Sequence, residues 1–250
     1  MTTAEQGNHR DSVDIPDPLN HGEFADAMIK KTQVTDVRIH EALMRFDRKY
    51  FVPELYQEYA YQDIALPLLL DKGVSVAFIS QPSLTVEMID LLNLQHDSRT
   101  LEIGTGSGYS SALMSHLCAE VVTIERIPEL VTKAQERFNE LQITNVTVIQ
   151  ADGAIGYAQE GPYDRIVCTT AMKKIPDEYV SQLTEGGSIL VPIGDFRYLQ
   201  DLVLGTKQDG KIQIRIFDPV EFVPLITDSA ELGWGLKESI EYLNSTRFDH

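Results

Sequence analysis

The sequence predicts a doubly wound α/β domain, and three observations carry that expectation. Apolar runs with strand character alternate with helical patterns through the middle of the chain, an order that builds a mostly parallel sheet covered on both faces. A glycine-rich turn in LEIGTGSGYSSAL joins one of these strands directly to a helix. Near the end, Asp209-Gly210 separates two strand-like runs, so an antiparallel hairpin closes the sheet.

The elements follow in order. Residues 1–22 are polar, carry Pro16 and Pro18, and show no apolar period, which predicts a loose tail ahead of a single domain over 23–250. That domain divides into a helical, substrate-side subregion at 23–95, a core at 96–195 and a hairpin with a cap at 196–250. Ile39, Ala42, Leu43 and Phe46 fall on one face of a helix that starts near Asp36 and ends before Pro53. The stretch LYQEYAYQDIALPLLLDKG is apolar and aromatic without periodicity and reads as irregular structure packed on the core. Val76-Ala77-Phe78-Ile79 has strand character and runs through Ser80-Gln81 into a helix with Leu84, Met88, Leu91 and Leu92 as its apolar face. Strand TLEIG, helix YSSALMSHLC, strand EVVTIE and a helix facing inward through Val131, Ala134, Phe138 and Leu141 come next. VTVIQ, DRIVCTT, DEYVSQL and SILVP continue the alternation; LQDLVLGTK and KIQIRIF form the hairpin, and Leu236, Ile240 and Leu243 give a short capping helix.

Composition narrows the function. At 250 residues, 43% hydrophobic and 24% charged, the chain suits one sizeable core, and it has no apolar run of the roughly 18 residues a membrane span needs. A net charge of −17 repels phosphate backbones, which argues against a nucleic-acid partner. Two cysteines, Cys118 and Cys168, at a spacing that suits neither a metal site nor a disulfide scaffold, together with a start lacking a secretory pattern, predict a cytoplasmic protein without metal.

The chemistry gathers at three successive strand ends. Gly104, Gly106 and Gly108 let the backbone turn sharply and approach a ligand. Glu125 ends the next strand, at the interval where a carboxylate can accept hydrogen bonds from ribose hydroxyls, and Asp152-Gly153 follows the third strand, where they can meet adenine. An adenosine-containing ligand is the expectation. The close spacing of GTGSG, with nothing basic beside it, departs from a dinucleotide fingerprint. Ser80, ahead of Pro82, has two readings from its own residues: a helix-capping hydroxyl or a group with a chemical task.

LEIGTGSG resembles the first motif of S-adenosylmethionine-dependent methyltransferases, whose sheet is Rossmann-like. From about residue 37 to 234 the chain also resembles the protein-L-isoaspartate O-methyltransferase family, through RFDRKYFVP, AYQDIALP, ISQPSLTVEMIDLL, LEIGTGSGYSSALMSHL, TIERIPELVTKA, NVTVIQADG, YDRIVCTTAMKKIP, QLTEGGSILVPIG and FVPLI in the family's order. The resemblance implies S-adenosyl-L-methionine as co-substrate, no metal, and a peptide or protein carboxylate as acceptor. It implies Ser80 as the active-site serine, with Asp63, Phe78 and Val223 at the substrate cleft. The implied donor site comprises Ile79, Ser80, Glu102, Gly104, Thr105, Gly106, Ser107, Gly108, Glu125, Arg126, Asp152 and Gly153, with Glu102 helping to hold the cationic methionine end. Two positions depart from the family's pattern: Phe78 stands where threonine is usual, and the fourth-strand motif ends Thr169-Thr170-Ala171. The substrate therefore has three readings: isoaspartyl repair, esterification of another peptide carboxylate in a natural-product precursor, or donor binding without turnover.

Overall fold

The computed structural model describes residues 20–71, 74–235 and 237–239. The first nineteen residues of the expected tail, and Leu236, Ile240 and Leu243 of the expected capping helix, lie outside the described residues or their side chains.

Seven strands form one sheet in the order β5-β4-β3-β6-β7-β8-β9. Strands β3 (Arg99–Ile103), β4 (Glu120–Glu125), β5 (Val146–Gln150), β6 (Tyr163–Cys168) and β7 (Leu183–Ile193) run parallel. β8 (Gln200–Gln208) and β9 (Lys211–Val220) turn antiparallel. Asp209 and Gly210 both take positive φ, 50° and 72°, the conformation that a two-residue hairpin turn requires. The doubly wound sheet with its antiparallel C-terminal hairpin is thus present. From β3 the chain winds outward through β4 and β5, then returns so that β6 pairs with the other side of β3. The crevice between the ends of β3 and β6 is the switch point at which such sheets take up ligands.

Apolar residues alternate along the strands and so face two cores. Leu101 and Ile103 of β3 and Val122 and Ile124 of β4 pack with Tyr163, Tyr179 and Ile189 on one face. The other face carries Val121, Val167 and Leu190 against Met88, Ala112, Ala134 and Phe138 of the helices. These come from α3 (Pro82–Leu92), α4 (Tyr109–Ser115) and α5 (Pro128–Glu140). Helix α6 (Asp177–Gln182) brings Tyr179 to the first core.

Three elements differ from the sequence expectation. Helix α1 (His21–Thr32) begins inside the stretch expected as tail, because the Asn20 side chain accepts from the Glu23 N–H and caps it. Helix α2 (Val37–Arg45) then starts at its Asp36 cap as expected. Second, Leu66–Asp71 is strand β1, paired antiparallel with β2 (Val74–Ile79), where irregular structure was expected. Pro67 and a continuous apolar run hide this strand in the sequence, since neither gives a period of two. Third, α3 buries Val86, Met88, Ile89 and Leu92 but leaves Leu84 and Leu91 half-buried, because that side borders an open cleft.

Gly108 shows what the glycine turn demands. It precedes α4 at φ +83°, and a Cβ there would stand 2.8 Å from the Phe138 Cζ of α5. Replacing it adds left-handed strain to a clash. Gly108→Ala is expected to cost about 2 kcal/mol, seen as a fall in Tm of roughly 4–8 °C in thermal unfolding.

Candidate active site

The turn after β3 is held from below by hydrogen bonds that its own glycines make possible. The Gly104 and Thr105 N–H groups donate to the Ile124 carbonyl at 2.9 and 3.1 Å, and the Thr105 and Thr123 hydroxyls lie 2.7 Å apart. The Gly106 N–H donates to Glu125 Oε2 and the Ile127 N–H to Oε1, each at 3.0 Å. Burial pushes the Glu125 carboxyl upward, against these backbone donors, which favour the charged form. Arg137 adds a tie from α5 to the Ser107 carbonyl at 3.1 Å.

Above this turn lies a narrow pocket at the switch point. Gly104, Thr105, Gly106, Ser107, Glu125, Arg126 and Gly153 line it, joined from the substrate side by Phe78, Ile79, Ser80 and Val223. Cβ atoms would close the cradle: at Gly104 one would stand 2.5 Å from Thr169 Oγ1, and at Gly153 2.5 Å from Ile103 Cγ2. A carboxylate held at the end of β4 and a cradle kept open by glycine suit a ribose and the thioether-linked chain beyond it. The residues present fit an S-adenosyl group.

Phe78, Ser80, Thr169, Val223 and Pro224 also line a second, wider cleft of about 1040 Å³, so the two cavities meet at Ser80. Helix α3 forms one wall of the cleft, and the end of β9 with the following segment, Phe217–Pro224, forms another.

Ser80 is placed by its neighbours. Gln81 offers no side-chain cap to α3, and Pro82 occupies the first turn. The capping group is instead Asp63, whose carboxylate accepts from the Ser83 N–H and Oγ at 2.8 Å each and from Gln81 Nε2 at 3.0 Å. Lys31 of α1 pairs with it at 2.6 Å. Burial alone would raise the Asp63 carboxyl, but Lys31, Ser83 and Gln81 outweigh it and hold it below the usual range.

Four expected site residues have other surroundings. Asp63 lines neither cavity and acts beneath α3. Gly108 also lies outside the lining, packed on Phe138. Glu102 is wholly inaccessible on the α4 side of β3, accepting from the Ser111 hydroxyl and, at 2.7 Å, from Thr123. Its Oε1 is buried without a hydrogen-bond partner, on the same sheet face as its neighbour Val167, which does line the pocket. Asp152 is likewise outside the lining; its Oδ2 accepts from the Thr227 hydroxyl at 2.8 Å. Arg126, which does line the pocket, donates to the Ile226 carbonyl at 2.7 Å. Together they tie down the segment Val223–Ile226, which edges the pocket. Sequence reasoning missed Tyr109, Thr169 and Thr170 among the lining residues. The hydroxyls of Tyr109 and Thr170 are buried without a hydrogen-bond partner.

The family model for protein-L-isoaspartate (D-aspartate) O-methyltransferase matches residues 20–230. The chain belongs to that family. It is 37% identical over 212 residues to the protein-L-isoaspartate O-methyltransferase of Methanoculleus marisnigri, covering 85% of this chain and 92% of that one. With the Fervidobacterium nodosum protein of the same name the identity is 42% over 191 residues, 75% of this chain and 93% of the other. A solved protein-L-isoaspartate O-methyltransferase superposes with a TM-score of 0.76 at 31% identity, over 85% of this chain and 67% of that one. A Plasmodium falciparum structure described as such an enzyme, in complex with S-adenosyl-L-homocysteine, gives 0.70 at 25% identity over 83% and 98% of the two chains.

Two expectations follow. Glu125→Ala removes the acceptor of two backbone N–H groups along with the carboxylate in the pocket. Its affinity for S-adenosyl-L-homocysteine should fall roughly 10- to 100-fold by titration calorimetry. Burial pushes the Glu102 carboxyl up to about 7. A raised folded pKa means stability present below the unfolded value and lost as pH climbs through the folded one. Glu102→Gln, which cannot ionise, should therefore gain stability relative to the unaltered chain between about pH 4.5 and 7 and level off above, by up to about 3 kcal/mol in denaturant titrations.

Proposed function

We infer that this enzyme uses S-adenosyl-L-methionine to esterify the free α-carboxylate of L-isoaspartyl residues in polypeptides, the first step of their repair. The observation that carries the reading is the meeting of the glycine pocket with the wide cleft at Ser80. Membership of the family supports the reaction, and the cleft has room for a polypeptide segment rather than a small molecule alone. Esterification of an ordinary aspartyl side chain or a chain terminus has no comparable support, since the relatives described above all bear the isoaspartyl name. Among the described residues no helix is long and apolar enough to cross a membrane. We place the enzyme in the cytoplasm, a reading supported by its two unpaired, buried cysteines.

The bound donor supplies a methyl group on a sulfonium, which passes to the carboxylate oxygen as the carbon–sulfur bond breaks toward sulfur. An acceptor carboxylate of pKa about 4 is already ionised at neutral pH, so no residue need remove a proton. What the chain contributes is alignment and a dry, polar setting. Glu125 and the glycine turn hold the adenosine end. Ser80, at the junction of the cavities, offers its hydroxyl to the acceptor oxygen, and Asp63 keeps the start of α3 in place behind it. Phe78 and Val223 shape the passage between the cavities. The resulting ester makes a better leaving group for succinimide closure, and hydrolysis returns part of the chain to aspartate.

Ser80→Ala should lower kcat at least tenfold while S-adenosyl-L-homocysteine affinity changes less than threefold. Mass spectrometry with matched isoaspartyl and aspartyl peptides, C-terminally amidated, should show a 14 Da gain on the isoaspartyl member alone, from one methylene per ester. Equal methylation of both peptides, or of neither, contradicts the assigned substrate.

A further inference from the structure

We propose that Arg48 is a positioning residue for the acceptor end of the site, a buried cation that fixes the orientation of the Ser80–Gln81 peptide. The proposal rests on the reading of Ser80 given above. Arg48 lies in the short 3₁₀ turn Arg48–Phe51 and is completely inaccessible to solvent. Nη1 donates to the carbonyls of Ala60 and Gln62 at 2.8 and 3.3 Å, and Nη2 to those of Ile64 and Ser80 at 2.9 and 3.1 Å. One guanidinium thus joins its own turn, the segment that carries Asp63, and the residue that enters α3.

Nothing of opposite charge is in contact with it: among the described residues no carboxylate lies within 4.0 Å of Arg48, and Asp63 attracts it only through the field. Burial pushes its pKa down to about 10, which still leaves the group charged at neutral pH. A desolvated cation is costly, and carbonyl dipoles offset that cost only if they are held in place around it. The four oxygens are therefore locked to one another through the guanidinium, with bonds strengthened by its charge.

The consequence falls on Ser80. Its carbonyl precedes α3, whose first helical hydrogen bond runs from the Thr85 N–H to the Gln81 carbonyl, so the helix does not fix the Ser80–Gln81 peptide plane. In a trans peptide the carbonyl and the next N–H point in opposite directions. Anchoring the Ser80 oxygen on a cation in the interior turns the Gln81 N–H outward, and Ser80 and Gln81 both line the wide cleft. Arg48 grips the carbonyl side of this peptide while Asp63 grips the turn that follows. The Ser80 hydroxyl and the Gln81 N–H are presented together to the acceptor carboxylate.

The test uses full-length Arg48→Met and Arg48→Lys with the unaltered chain. Calorimetry would read S-adenosyl-L-homocysteine affinity, steady-state kinetics would read kcat and KM on an isoaspartyl peptide, and hydrogen exchange would read the bonded amides of Ser83 and Thr85 against those of Gly104–Gly108. Arg48→Met should lose 30-fold or more in kcat with affinity for the donor product within threefold. Arg48→Lys, whose ammonium can reach up to three carbonyls, should recover to within about fivefold of the unaltered kcat. Exchange should quicken at Ser83 and Thr85 in both variants and stay unchanged in the glycine turn. If Arg48→Met does not fold, a lysine variant with unaltered kcat and unaltered exchange at Ser83 and Thr85 overturns the proposal. So does a methionine variant that loses kcat and product affinity by the same factor, the mark of general structural damage. Should the unaltered enzyme methylate no isoaspartyl peptide, the functional reading fails, and the exchange measurement alone decides whether Arg48 holds the Ser80 peptide.

Discussion

The arrangement around the acceptor end depends on a helix that cannot cap itself. Helix α3 begins at Pro82 behind a Gln81 that makes no capping bond, so its first-turn donors need an oxygen from elsewhere. Asp63 supplies it, and a carboxylate at that end is favoured further by the helix dipole. Because Asp63 belongs to a loop and is paired with Lys31 of α1, one contact joins three parts of the chain that have no local reason to meet. Ser80 stands at the entrance to this junction. The position of the proposed active-site hydroxyl is thus a by-product of solving a backbone hydrogen-bonding problem.

A similar logic holds on the donor side, where carboxylates near the glycine turn divide their labour. Glu125 faces the pocket and carries two backbone donors; Glu102 and Asp152 face other partners. Asp152 and Arg126 hold the segment Val223–Ile226 against the pocket, extending the lining with residues that follow the last strand. The Ala171 N–H and carbonyl pair with the Val223 carbonyl and Leu225 N–H at 2.8 and 2.7 Å, so the same segment is fastened to the end of β6. The pocket therefore has walls from strand ends on one side and from a late, irregular segment on the other, each secured by short-range polar contacts.

How much of this was legible depended on whether the signal was local. Alternation and the glycine turn gave the parallel core, and Asp209-Gly210 gave the hairpin, because each is written in adjacent residues. Strand β1 was hidden since Pro67 and an unbroken apolar run carry no period, and α1 since its buried face mixes Phe24 and Met28 with alanines. Val86 and Ile89 were passed over on α3 in favour of Leu84 and Leu91, which hydrophobicity alone cannot distinguish as bordering a cleft. The carboxylates were the hardest. The hydroxyl partners of Glu102 come from α4 and β4, the partner of Asp152 lies 75 residues away, and Arg48 binds only carbonyls, which have no sequence signature.

An enzyme with a net charge of −17 that receives a carboxylate needs an account of its electrostatics. Arg126 is the only cationic side chain among the described residues lining either cavity, and its guanidinium is engaged by the Ile226 carbonyl. The wide cleft itself adds Glu87, Asp90, Asp218 and Glu221. Surface charges, however, are screened by salt over about 8 Å, whereas a buried charge acts through a medium of low polarisability. Arg48, sealed behind the Ser80 carbonyl, is such a charge, while the dipole of the α3 N-terminus is already met by the Asp63 carboxylate, itself paired with Lys31. Arg48 therefore supplies, beside Ser80, a positive contribution that salt screens little and that opposes the sign of the surface. An acidic surface and a carboxylate substrate are compatible on that ground, and the site requires no exposed cation to reconcile them.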